Sequence, residues 1–435
     1  MTDPLATVEA RALWQVQVPA GIDRTGRPLP DAADVVVVGG GLTGLAAARK
    51  GARLGASVVL LEAERLGWGA STRNGGMCHP GYKWGPTTLM ERYGAVLGRR
   101  LWDDSVAAFD WTERTIAEDG IDCDFVRSGH LELAYAPGHV EELHAAAASL
   151  AAVGATSRFV PREELRTEIG TDAYYGALAI ERSGGLHPAK YHAGLAEAAA
   201  RAGADLHEGV RARRVRPQAD GRVVVETDRG AILARHVVVA TNGYPDGLVP
   251  ALRRRIMAIG SYIIATDPLP EDLAREISPN GRMFFDTKNF LYYWRLTPDR
   301  RMLFGGRASF WPGSIEKYAR ILYRAMTEVH PQLAGQRVAH AWGGKVAFTY
   351  DRMPHVGTTG GVTYATGCCG SGVAILPWLG ERVVDWVVGG GERPALAELS
   401  FPLVPAPYEG RAWFLPFAGE WWKTQDRLAA RTREK

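Results

Sequence analysis

The 435-residue chain has 46% hydrophobic and 23% charged residues and a formal net charge of +3. It is long enough for two or three domain-sized cores, and its balanced charge gives no argument for nucleic acid or an anionic membrane as partner. The four cysteines, at 78, 123, 368 and 369, are too few for a disulfide framework and lack zinc spacing, so no metal site is expected. No signal peptide is evident at the first residues, and no stretch approaches the ~18 apolar residues of a membrane span. A reducing, cytoplasmic compartment fits this usage.

Residues 1–33, with Pro and Gly scattered through 19–30, read as an arm. Asp34 to Gly44 then reads D-V-V-V-V-G-G-G-L-T-G, and Glu62 closes the next apolar run, V-V-L-L-E. Strand, glycine turn, helix and second strand make a dinucleotide-binding unit of Rossmann type. Gly39 allows the tight turn, Gly41 lets a pyrophosphate approach the backbone, and Gly44 lets the helix pack on the strand. The helix start directs free N–H groups and a positive dipole end at phosphate. Glu62, 23 residues after Gly39, stands where a ribose-binding carboxylate is expected. The motif alone leaves FAD and NAD both open.

A Gly-rich segment, G-W-G-A-S-T-R-N-G-G, fills 67–76, and residues 88–150 are mainly helical in pattern. From 187 the texture changes. A helix over 191–202 precedes strands at 205–215, 222–227 and 231–240, the last returning to the nucleotide-binding sheet. Residues 255–312 are strand-like and aromatic, and a helix follows at 314–330. Residues 360–386 read as strand, G-C-C-G-S-G turn and helix, a second candidate anion cradle. Adjacent Cys368 and Cys369 are read as packing residues, and 391–435 as a Pro-rich aromatic tail. The expected fold is α/β plus a β-rich second domain. The nucleotide-binding domain takes 34–90, 185–250 and 340–390. A mixed-sheet substrate domain inserted in it takes 91–184 and 251–339.

The ordered set of the βαβ unit, G-W-G-A-S-T-R-N-G-G, S-G-G-L-H-P-A-K-Y, Y-Y-W-R-L-T-P-D-R-R-M-L-F-G-G-R and W-G-G-x-x-x-x-T-x-D-x-x-P-x-x-G resembles the FAD-dependent D-amino-acid-oxidase superfamily. Its gamma-glutamylputrescine-oxidase-like branch is the nearest in pattern. The resemblance implies FAD lying extended in the first domain, with a substrate under the sheet of the second. It places Gly39, Gly41, Leu42, Thr43 and Gly44 on the diphosphate, and Glu62 and Ala63 at the ribose. Ala70, Ser71, Arg73, Asn74, Gly75 and Gly76 fall along the ribityl chain and flavin edge. Ala212 meets the adenine, and Ala240 and Asn242 approach from the return strand. Gly370, Ser371, Gly372 and Val373 bring N–H groups to the pyrimidine end of the flavin, where charge develops on reduction.

The departures also carry information. Ser371 replaces a usual histidine. Gly344 and Arg73 stand where other branches attach flavin through cysteine or histidine, so FAD is expected to be non-covalent. A lysine that assists oxygen in sarcosine-oxidase relatives falls near Leu303. The implied reaction is oxidation of a small amine or amino acid by hydride loss to the flavin, with oxygen or another electron acceptor closing the cycle. Catalytic candidates are Tyr293, Trp342 and Ser371. Aromatic candidates to hold the amine are Tyr262, Tyr293, Trp294 and Trp342. Tyr293 and Trp294 are neighbours on one strand and point to opposite faces, so one at most reaches substrate, and Tyr293 is favoured.

Overall fold

Val35, Val36 and Val37 are fully buried, as a run of four valines demands of a strand covered on both faces. In the computed structural model, which describes residues 3–431 except 20 and 246, the strand Ala32–Val38 lies inside an eight-stranded sheet. It pairs in parallel with Val58–Leu61 on one side and Gly230–Val239 on the other. Asp205–His207 and Val362–Thr366 extend the parallel set on either side, and His355–Thr359 closes one edge antiparallel. Ala212–Pro217 and Val223–Thr227 hang from Gly230–Val239 as an antiparallel ribbon. The continuous strand expected over 205–215 is broken, with Gly209 at φ +64° in the turn between its two parts.

Helices Leu42–Arg53 and Gly372–Val387 pack so closely that a Cβ on Gly380 would stand 2.1 Å from the Thr43 carbonyl oxygen. The start of the first helix therefore packs against the middle of the second, and Leu42 and Gly372, the first residues of each, line the same cavity.

The second eight-stranded sheet runs Val338–Phe348, Met257–Pro268, Arg301–Gly306, Tyr292–Leu296, Met283–Asp286, His130–Leu133, Gly176–Ile180, Arg158–Pro161. All pairs are antiparallel except Met283–Asp286 with His130–Leu133. Alternation sorts its faces. Leu131, Phe284, Trp294, Phe304 and Ile264 are buried in one cluster with Leu322 and Met326 of the amphipathic helix Ile315–Val329. Leu178, Glu132, Phe285 and Tyr293 occupy the other face, towards the first domain.

Two expected boundaries move. Val338–Phe348 pairs along its length with Met257–Pro268, so it belongs to the second sheet and not to a nucleotide-binding segment starting at 340. Helix Ala95–Asp119 buries Trp102, Phe109 and Trp111 with Leu45 and Leu376. The chain from 91 to 119 therefore packs with the nucleotide-binding core, because its apolar stripe faces that core. The arm also docks: Leu5 joins the core of the second domain, and Trp14 is 1% exposed.

His187 and His330 are buried, and burial pulls each pKa down to about 4. A histidine free to protonate near pH ~6.5 when unfolded favours unfolding as pH falls from there towards 4, by up to roughly 3 kcal/mol each. Urea unfolding should therefore show stability intact above pH ~6.5 and declining down to about 4. His330→Phe should make that decline shallower, and an unchanged slope contradicts the assignment.

Candidate functional site

The first helix starts at Leu42 with no side-chain cap from Gly41, and the second starts at Gly372 with none from Ser371. Both uncapped N-termini open on one cleft, made of two cavities of about 450 and 650 Å³. Ala70, Asn74, Lys345, Val346, Gly370 and Val373 line both, so the cavities adjoin.

The smaller cavity is lined by Gly39, Gly41, Leu42, Thr43, Glu62, Ala63, Ser71, Ala212, Ala240, Asn242 and Gly372. Its floor fits a diphosphate. A Cβ on Gly41 would meet the Ser71 hydroxyl at 2.8 Å, and that hydroxyl already accepts from Leu42 N–H at 3.1 Å. Glu62 accepts from Gly40 N–H at 2.7 Å and Glu64 N–H at 2.9 Å, and burial raises its pKa. The carboxylate is thus fixed where the second strand ends, facing the cavity. Gly44 does not line the cavity. It shapes it from behind, since its Cβ would stand 1.9 Å from the Gly39 carbonyl oxygen.

The larger cavity is lined by Arg73, Gly75, Tyr293 and Ser371 as expected, and by His79, Lys83, His130, Glu132, Phe285 and Arg307, which carry no local motif. The wall at 73–76 is held from outside. Asn74 bonds Ala70 O, Ser71 O and Gly76 N–H and so closes its own turn. Trp14 Nε1 donates to Asn74 O at 2.8 Å, and Arg295 donates to Gly75 O at 2.8 Å and Leu186 O at 2.6 Å. Burial brings the Arg295 pKa down to about 10. Gly76 sits under this clamp at φ +67°, with no room for a Cβ beside Leu186 O. Arg73 donates to Gly343 O at 3.3 Å, yet its Nε is buried without a partner. An unsatisfied guanidinium N–H in an open cleft fits a polar group that belongs there.

Of the four aromatic candidates, Tyr293 alone lines the cavity. Its hydroxyl lies 3.2 Å from Ser261 Oγ, and burial pushes its pKa up to about 12. Trp294 does not reach the site: it is fully buried among Tyr174, Phe284 and Phe304, on the opposite face of the pleat. Tyr262 stacks on Tyr318 at 3.8 Å on that same far side. Trp342 shares the cavity-side face but is covered by Trp14 and Ala189, and its Nε1 donates to Arg73 O at 2.9 Å. It shapes the loop at 73–76 without lining the cavity. Leu303 is also core, packed with Ile263 and Trp342. The lysines that line the larger cavity are 83, 288 and 345. Trp294→Ala should cost about 3–5 kcal/mol in unfolding free energy with little change in substrate affinity. A large affinity loss at retained stability would return Trp294 to the site.

The four cysteines are free and buried. Cys369 takes φ +50°, and burial pushes its thiol up to about 12, so it is no nucleophile. No cluster of metal-ligating side chains exists among the described residues. No helix among them is long and apolar enough to cross a membrane.

A family model described as FAD dependent oxidoreductase matches residues 34–386, which takes in both helix starts and both sheets. The chain belongs to this family. It is 34% identical to a probable oxidoreductase, OrdL, of Rhizobium meliloti, over 91% of this chain and 92% of that protein. It is 32% identical to the gamma-glutamylputrescine oxidoreductase of Escherichia coli, over 91% and 93%. Crystalline glycine oxidase from Geobacillus kaustophilus superposes with a TM-score of 0.71 at 20% identity, covering 88% of this chain and 99% of that one. As a member of the FAD-dependent oxidoreductase family, the protein has two uncapped helix starts and a two-chamber cleft that suit the two halves of that cofactor.

Proposed function

We propose that the protein oxidises the carbon–nitrogen bond of an amine or amino acid, with FAD held non-covalently and reoxidised by oxygen. The observation that carries this reading is that a cavity lined by both helix starts adjoins a larger one, which Tyr293 lines from the second sheet. Relatives named for gamma-glutamylputrescine and for glycine support a nitrogen-bearing substrate. Bound FAD supplies a two-electron acceptor for a hydride leaving the carbon next to nitrogen.

The chain's residues supply position and environment. Gly39–Thr43 would hold the diphosphate and Glu62 the ribose, and Gly372 and Val373 would present N–H groups at the far end. Arg73 and Lys345 add positive charge beside the cleft. Tyr293, kept neutral, and Phe285 form the ceiling, and burial lowers the pKa of both His79 and His130. The uncharged stretch of ceiling at Tyr293 and Phe285 favours the neutral amine that hydride loss requires, and it excludes water. No protein nucleophile is needed. Ser371 caps no N–H and faces the larger cavity as a small hydroxyl.

Anaerobic mixing with a panel of amines and amino acids tests the reading: bleaching of the flavin band is expected, and a panel with no bleaching member refutes it. Exposure of the reduced protein to oxygen should restore the band with peroxide release; slow recovery points to another acceptor. Acid precipitation should leave the flavin in the supernatant, because glycine and arginine occupy positions 344 and 73; yellow precipitate means a covalent bond. Tyr293→Phe should lower the rate of bleaching about ten-fold or less, by loosening the ring tethered to Ser261.

A further inference from the structure

The Pro-rich aromatic tail ends in a helix, Leu415–Arg431, whose two faces differ. The inner face is committed to the body. Asp426 accepts from Asn289 N–H at 2.9 Å and from Phe290 N–H at 3.0 Å. Trp422 meets the Phe310 ring edge-on at 6.1 Å, and Gly419 leaves no room for a Cβ beside that ring. The outer face is apolar, where a surface helix ordinarily carries polar residues. Phe417, Trp421, Thr424 and Leu428 follow the i, i+4, i+7, i+11 spacing of a single line along a helix, and all four are exposed. For Phe417, Trp421 and Leu428 the exposure is 65, 64 and 51%. Trp311 extends the line from outside the helix, its ring 5.9 Å from Phe417, and Trp413 stands exposed just ahead of the helix.

At these exposures, and on the ~150–250 Å² scale of a whole aromatic side chain, the five side chains offer roughly 500 Å² of apolar surface. A monomer seldom leaves so large a patch in water without a use. The charges on its rim say what covers it. Glu420 and Arg427 are exposed on one flank of the line, two turns apart. A separation of about 10 Å along the axis keeps them from pairing within one helix. Glu420 meets Lys423 at 3.0 Å instead, and Arg427 has no ion-pair partner among the described residues. The opposite flank is neutral, with Ala418 and Gln425. An anionic lipid surface selects basic rims, and a partner of one charge sign selects the other. One acid and one base on the same flank match the same pair run in reverse.

We propose that this stripe is a docking face for a second copy of the chain, the two Leu415–Arg431 helices packing antiparallel about a two-fold axis between residues 423 and 424. That arrangement sets Glu420 of each copy opposite Arg427 of the other, on the same side of the pair. Leu428 of each then falls level with residue 419 of the other, between Phe417 and Trp421. Parallel pairing would set like charges against like. Two such faces bury about 1,000 Å² in all, the lower end for a specific interface, so the dimer dissociates on dilution. No residue of the stripe or its flank lines either cavity, so the inference stands apart from the amine-oxidising reading.

The test is the mass of the FAD-loaded protein in solution, by light scattering and sedimentation, over about a hundred-fold dilution series. The wild-type protein should be dimeric at the top of the series and shift towards monomer on dilution. Trp421→Glu should be monomeric throughout. Glu420→Arg and Arg427→Glu should each raise the dissociation constant about ten-fold, because each turns both ion pairs into like-charge contacts. The double variant, Glu420→Arg with Arg427→Glu, swaps the charges and should recover most of the affinity. Unchanged flavin content shows that each variant is folded. A wild-type monomer at the top of the series overturns the proposal, as does a dimer indifferent to Trp421→Glu. A double variant no tighter than the single ones overturns the antiparallel pairing. Wild-type protein that stays monomeric yet binds vesicles of phosphatidylglycerol and phosphatidylcholine, with binding lost in Trp421→Glu, gives the face to lipid instead.

Discussion

Arg295→Met should empty the cleft of most of its FAD and destabilise the fold. The guanidinium is 6% exposed and is the donor to two carbonyls, Gly75 O and Leu186 O, which belong to separate segments. Methionine fills the space but donates nothing, and an orphaned buried acceptor costs about 1–3 kcal/mol. Two of them give about 2–6 kcal/mol, concentrated on the loop that lines the larger cavity beside the Tyr293 ring. Flavin absorbance per protein should drop several-fold, and urea unfolding should move to lower denaturant. Arg295→Lys should recover little, because one ammonium cannot span both carbonyls as the planar fork does. Full retention of FAD in Arg295→Met would show that the 73–76 loop holds its shape unaided.

Gly44→Ala should have a comparable effect by a different route. Its new methyl would stand 1.9 Å from the Gly39 carbonyl oxygen and 3.2 Å from Val37. Backbone cannot yield as a side-chain tip can, so helix and strand must separate and the glycine turn must open. Bound FAD is expected to fall below about a tenth of the wild-type content, since the N–H groups of the turn lose their common aim. Gly138→Ala is the control: Gly138 opens another helix and has no neighbour within 4 Å of an added Cβ. Equal flavin content in the two variants would show that close helix–strand packing is not what presents the turn.

These two residues mark what could be read from sequence. Gly44 belongs to a contiguous signal, in which spacing and neighbouring valines declare strand, turn and helix together. Arg295 belongs to none: its partners lie 220 and 109 residues away in sequence, and only the closed fold brings them within reach. Strand parity sorted Tyr293 from Trp294 because it is a local rule. It could not place Trp342, which has the right parity but lies under the arm residue Trp14 and Ala189. Tyr262 was misplaced because its parity was not anchored. Its neighbour Ser261 is the residue that touches Tyr293. Glu132 had a legible sign. In H-L-E-L, from 130 to 133, polar and apolar residues alternate, and the apolar pair is fully buried. A polar face on an interior strand points to a cavity. Lys83 had no such sign, since a lysine after a glycine segment is ordinarily solvated.

The cleft also has an order in time. Its walls come from residues near 40, 70, 240, 345 and 370, and the arm that braces them lies ahead of all of these in the chain. Trp14 and Gln15 are therefore among the first described residues made, and they wait for partners completed last. The glycine turn can form beside its own strand early in synthesis, but the second helix start exists only after residue 372 has emerged. The two helix starts can face each other across the cleft only once residue 372 has been made, and a chain stalled before that point has a glycine turn with no opposite wall.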